Sequence, residues 1–194
     1  MKTYKHSASF TLFVMLLCIN VACKRNMSES MEFQVNPKLL GQHQQDTVLG
    51  IRYASPLGFT SSHQELAIRQ GAMQNAGEEV EVRAVYQDEN AQAYMILSAV
   101  TQNRWDQLST SVSQNELNSE AWTNMHSTTY NYKDFEVQQW LLQNAEWVNF
   151  KLIFKTKESR FFQLDYLLPS SIYNEQTAKT IESSIGSFTS FYNK

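Results

Sequence analysis

The stretch FEVQQWLLQNAEWVNFKLIFKTKESRFFQLDYLL, residues 135–168, decides the fold. It divides into three segments, Phe135–Leu142, Trp147–Lys155 and Arg160–Leu168, separated by Gln143-Asn144-Ala145-Glu146 and by Lys157-Glu158-Ser159. Both separators are short and polar, as hairpin loops are. Apolar side chains recur at every second position: Val148, Phe150, Leu152 and Phe154 in the second segment, Phe162, Leu164, Tyr166 and Leu168 in the third. A period of two puts each set on one face of a pleated strand. Asn149, Lys151, Lys155, Gln163 and Asp165 fall on the opposite face, which is expected to meet water. The stretch therefore predicts an antiparallel meander with one buried face.

Working outward, Pro169 stops the last strand, and Ser170 or Ser171 is expected to cap a closing helix. Ala178, Ile181, Ile185 and Phe188 mark one face of that helix, fit to lie on the apolar side of the meander. Upstream, Val80, Val82, Ala84 and Tyr86 alternate with polar positions and Tyr94–Val100 is an apolar run. These read as two strands turning near Asp88-Glu89-Asn90. Trp105, Leu108 and Val112 recur at helical spacing over 104–115, and Ser62 with Glu65 has capping-box spacing for a helix from Ser62 to Met73. Val48–Tyr53 is a short strand running into Ser55-Pro56-Leu57-Gly58-Phe59, where Pro and Gly force a turn. Leu117–Tyr130 is aromatic and polar without period, and reads as a long loop or partial helix. The fold class is α+β, an antiparallel sheet with packed helices.

The N-terminus carries a different signal. Lys2 and Lys5 precede an apolar run from Phe10 to Ile19, then Asn20-Val21-Ala22-Cys23. That is the layout of a secretory signal, and the run falls short of the roughly 20 residues that cross a bilayer. Cleavage after Ala22 by a general signal peptidase is one reading, though Asn20 suits it poorly. The other rests on a resemblance: the segment is similar to a loose, Bacteroidota-type bacterial lipoprotein box, in which a Cys receives diacylglycerol and becomes the new N-terminus. Asn20 and Val21 depart from its commonest form. Cysteine usage favours the lipid, since Cys18 lies in the removed segment and the mature chain keeps only Cys23. The expected layout is a signal peptide over 1–22, a polar tether over 23–45 with Met31–Leu40 able to fold back, and one globular domain over 46–194. The expected location is the cell envelope, anchored through a lipid such as palmitate on Cys23 and facing the periplasm or cell surface.

Losing Lys2 and Lys5 moves the formal charge from −3 to −5. A weakly acidic chain without a Lys/Arg cluster does not suit nucleic acid, whose phosphates demand positive charge. His43, His63 and His126 lie far apart with no HxxxH or HxH spacing, so no metal is expected. No GxSxG nucleophile motif occurs, and the six Gly form neither GxGxxG nor GxxxxGK. Glu78-Glu79, Glu81 and Asp88-Glu89 fall at strand ends and turns, where acids are solvated. No catalytic residue and no cofactor is expected. Trp122, Tyr130, Tyr132, Trp140 and Trp147 crowd together among Asn, Thr and Gln, a composition suited to stacking on a sugar or peptide. Aromatic residues on strands also fill cores, and Trp122 and Tyr130, placed in the loop, are the first candidates for exposure.

The element order adds a second resemblance. A strand ending in Ser55-Pro56-Leu57-Gly58-Phe59, a central helix, antiparallel strands and a last helix ending Ile185-Gly186-Ser187-Phe188 resemble the PsbP-like α/β/α sandwich superfamily over about residues 47–190. The resemblance implies a non-enzymatic accessory, assembly or protein-binding module and transfers no functional residue. The expected function is a membrane-tethered module that binds an envelope protein. The alternative is a lipoprotein that binds carbohydrate or another small ligand through the loop aromatics.

Overall fold

The computed structural model describes residues 29–75, 80–114 and 122–191. The signal segment, Cys23, Glu78-Glu79 and the start of the expected loop lie outside the described residues.

The meander forms where its alternation places it: β8 (Phe135–Gln143), β9 (Trp147–Thr156) and β10 (Phe161–Pro169) pair antiparallel, with Val137 opposite Phe154 and Phe154 opposite Phe162. The two upstream strands are β5 (Val80–Asp88) and β6 (Ala93–Val100), and β6 docks antiparallel on β10. With β7 (Thr123–Tyr132), β4 (Thr60–Ser61) and β1 (Glu29–Ser30) they make an eight-stranded sheet ordered β1-β7-β8-β9-β10-β6-β5-β4, in which β1 alone runs parallel to its neighbour. A small antiparallel sheet, β11-β3-β2, combines Thr189–Ser190, Ile51–Pro56 and Leu40–Asp46.

One face of the large sheet meets the closing helix α3 (Glu175–Ser187) and the small sheet. Phe154 and Phe162 stack at 4.6 Å between ring centres, and Phe188 at the end of α3 joins them at 5.6 and 5.9 Å. Ile181 and Ile185 are buried on the same side as the helical period requires. The cap of α3 is Asn174, not Ser170 or Ser171, which belong to a 3-10 turn. The Asn174 side chain accepts from the Gln176 and Thr177 amides, and Thr177 Oγ1 accepts from the Asn174 amide at 2.8 Å, closing a reciprocal box.

The other face corrects a prediction. Asn149, Gln163 and Asp165 do not meet water but are buried, because helices α1 (His63–Asn75) and α2 (Gln102–Gln114) lie over that face. Leu66 and Met73 of α1 pack on Val82, Val85 and Ile96, while Trp105 and Leu108 of α2 pack on Trp140, Ile153 and Phe161. Helices thus cover both faces of the sheet.

Two more expectations change. The described part of the Leu117–Tyr130 loop is strand β7, whose alternation was hidden because a bulge between Asn124 and His126 resets the phase. The described part of the 23–45 tether also belongs to the fold, since it supplies β1, β2 and an intervening segment whose Met31 and Phe33 pack on the core. Phe33 meets Tyr132 edge-on at 4.9 Å. Among the described residues no helix is long and apolar enough to cross a membrane.

Candidate functional site

The aromatic set proposed from sequence does not assemble into one surface. Tyr130 and Tyr132 are buried on the α3 side of the sheet, whereas Trp140 is fully buried on the α2 side with Trp122 half-covered beside it. Trp147 is half-buried at the start of β9. Strand alternation is the cause: residues 130 and 132 pair with 137 and 135 on one face, while Trp140 pairs with Ser127 on the other. Tyr130, Tyr132 and Trp140 therefore offer no ring face to a sugar, a correction to the stacking reading.

A concave feature forms instead at the Pro56-Leu57-Gly58-Phe59 corner. The Phe59 amide donates to the Pro56 carbonyl at 3.2 Å, and Gly58 takes φ +90°, the value that the third residue of a type II turn requires and that favours glycine. The turn drives Leu57 outward, leaving it 59% exposed. Behind it lies a cavity of about 200 Å³ between the corner, the start of β6, the end of β10 and α3. Pro56, Phe59, Ala93, Leu168 and Ile181 make its walls apolar, and Asp88, Gln176 and Thr180 bring polar groups to it. Tyr166 also lines it, with its hydroxyl donating to Ser184 Oγ at 2.8 Å and burial pushing its pKa up. Near neutral pH that hydroxyl keeps its proton and serves as a donor.

A second feature, wholly missed from sequence, lies under α1 and α2. Lys151 Nζ and Asp165 Oδ1 are 2.7 Å apart, and Asp165 also accepts from Asn149 Nδ2 at 3.2 Å and Gln163 Nε2 at 2.5 Å. Both amide NH₂ groups are thereby committed to the carboxylate. Their oxygens, Asn149 Oδ1 and Gln163 Oε1, are buried without a partner, as are Gln138 Oε1, Trp140 Nε1 and Arg104 Nε. Each such group costs about 1–3 kcal/mol when left unmet. The clue available in the sequence was Trp140, Ile153 and Phe161 sharing a face with these polar residues, a mixture that a helix covers more readily than water. Among the described residues no three His, Cys, Asp or Glu side chains come together as metal ligands.

No protein-family model matches the chain, and no curated protein matches it significantly. Among solved structures it is similar to the solution structure of cyanobacterial PsbP (CyanoP) from Synechocystis sp. PCC 6803. The identity is 13%, the TM-score 0.48, and the likeness covers 81% of this chain and 95% of that chain.

Proposed function

We propose that this chain is an exported lipoprotein, anchored through Cys23, whose PsbP-like domain is a non-catalytic module that docks another envelope protein at the corner pocket. The observation that carries the reading is the pairing of an outward Leu57 with an apolar cavity of about 200 Å³ directly behind it. A pocket of this size accepts one large apolar side chain, and an exposed leucine at its lip extends the contact. The partner therefore presents an apolar side chain on an extended or turning segment. The cavity's lining holds Asp88 as its one charged side chain, which suits recognition by burial more than by ion pairing.

A photo-crosslinking residue at position 57 tests this in the cell envelope. The same single protein should be captured from position 57 and lost when Ala93→Trp fills the cavity, while a crosslinker at Met125, exposed on β7, does not capture it. Equal capture from both positions, or capture indifferent to Ala93→Trp, rejects the pocket as the docking site. Palmitate labelling that survives Cys23→Ser rejects the anchor.

A further inference from the structure

We infer that Asp88 selects what docks at the corner pocket, so that the partner segment bears a basic group beside its apolar side chain. The inference rests on the docking reading and names the chemistry of the partner. The carboxylate is held in place at the lip. Its Oδ1 accepts from the Asn90 and Ala91 amides, both at 3.1 Å, in the turn that joins β5 to β6. Its Oδ2 is met by no donor among the described residues and stands 3.8 Å from the point that a Cβ on Gly58 would take, beside the exposed Leu57.

Covering the corner is what gives that oxygen its importance. Asp88 is half-buried, so solvent still reaches its carboxylate in the free protein. A side chain seated in the cavity and against Leu57 displaces that solvent, and a carboxylate stripped of water without a counter-charge is costly. Among the described residues none supplies the counter-charge. The cavity's lining includes no Lys or Arg, Arg69 lies over the Tyr94 ring but pairs with Glu65, and Lys179 pairs with Glu175. Glu89, exposed next in the chain, adds a second negative charge. The compensating cation therefore arrives with the partner. Burial of the apolar group provides the affinity and Asp88 the discrimination, since a neutral segment leaves the carboxylate unpaired and an acidic one adds repulsion.

The test uses three blocked peptides that share one apolar side chain and differ in charge: acetyl-Gly-Leu-Lys-Gly-amide and its counterparts with Gln or Glu in place of Lys. Each is titrated into the full chain in detergent while the Ala93 and Ile181 methyl groups, both in the cavity wall, are followed by carbon–proton NMR. The lysine peptide should shift both methyls saturably in the millimolar range and bind at least about fivefold tighter than the glutamate peptide, with the glutamine peptide between them. The Ile68 methyl, exposed on α1, should not respond. Added salt should narrow the gap. Asp88→Asn, which keeps an oxygen for the Asn90 and Ala91 amides, should abolish the preference without abolishing binding. Equal binding of the three peptides, or a preference that Asp88→Asn leaves intact, overturns the inference and leaves the docking reading standing. No saturable shift with any peptide overturns it too, and crosslinking from position 57 against Ala93→Trp then judges the docking reading separately. The wild-type panel is decisive even if the variant does not fold.

Discussion

The Tyr132 hydroxyl donates to the Gly186 carbonyl at 2.6 Å, tying the end of β7 to the last turn of α3. Lys133 Nζ reaches the same carbonyl at 2.9 Å and the Phe188 carbonyl at 3.0 Å, so a tyrosine and its neighbouring ammonium satisfy acceptors that a helix end leaves open. The other side of Gly186 faces the N-terminal segment, close enough that the residue must remain glycine.

Gly186→Ala tests that approach. An added Cβ would stand 2.7 Å from Val35 Cγ2 and 2.8 Å from Phe33 Cβ. Overpacking of this kind costs about 1–3 kcal/mol, against a helix-propensity gain of up to about 1 kcal/mol. The expected result is a net loss of about 1–2 kcal/mol in denaturant titration, with faster amide exchange at Met31–Val35. Unchanged stability with unchanged exchange would show that the segment does not press on the helix.

Alkaline titration tests the buried tyrosines. Burial pushes Tyr132 up to about 12, from an ordinary value of 10.0, and raises Tyr53, Tyr86, Tyr130 and Tyr166 as well. A raised folded-state pKa means the unfolded chain gives up its proton first. The stabilisation is complete below pH 10 and is lost as pH climbs toward 12 and beyond. Chemical denaturation at stepped pH should show a flat region below 10 and a steep fall above it, in step with phenolate absorbance. A fall that begins near neutrality would implicate other groups.

Lys151→Met removes one half of a buried ion pair. The Asp165 carboxylate keeps its bonds from Asn149 and Gln163 but loses its counter-charge, for an expected cost of about 3–5 kcal/mol. Adding Asp165→Asn should restore part of that loss, because it removes the unpaired charge while its amide oxygen can still accept from one of the two neighbouring amides. A double variant no more stable than the single one contradicts this account.

Asn174→Ala should cost about 1 kcal/mol, since it removes the acceptor for two amides at the start of α3. Ser171→Ala should be silent. Thermal melts of both variants decide whether the cap lies at residue 174 or earlier.

Where one period dominated, the fold could be read from the chain. Phe150, Leu152 and Phe154 in β9 and Ile181, Ile185 and Phe188 at α3 occupy the faces that their spacing assigns. β7 was illegible because its bulge breaks the alternation. β2, with Gln42, Gln44 and Gln45 on a largely polar edge strand, carries almost no apolar signal and is held by backbone pairing with β3. The corner pocket was half-visible, as its Pro and Gly announce a turn but the wall from α3 arrives from more than a hundred residues away. The polar patch was misread for a related reason: strand alternation separates two faces, and only tertiary packing determines whether the second is covered.

The parallel pairing of Glu29 with Tyr130 has a bearing on the leash. Six peptide steps separate Cys23 from Glu29, and at about 3.4 Å each they reach no farther than roughly 20 Å. With an acyl group on Cys23, the globule would ride close to the lipid headgroups, its β1 flank turned toward the bilayer. Partners would then meet it sideways, within a thin shell above the membrane plane.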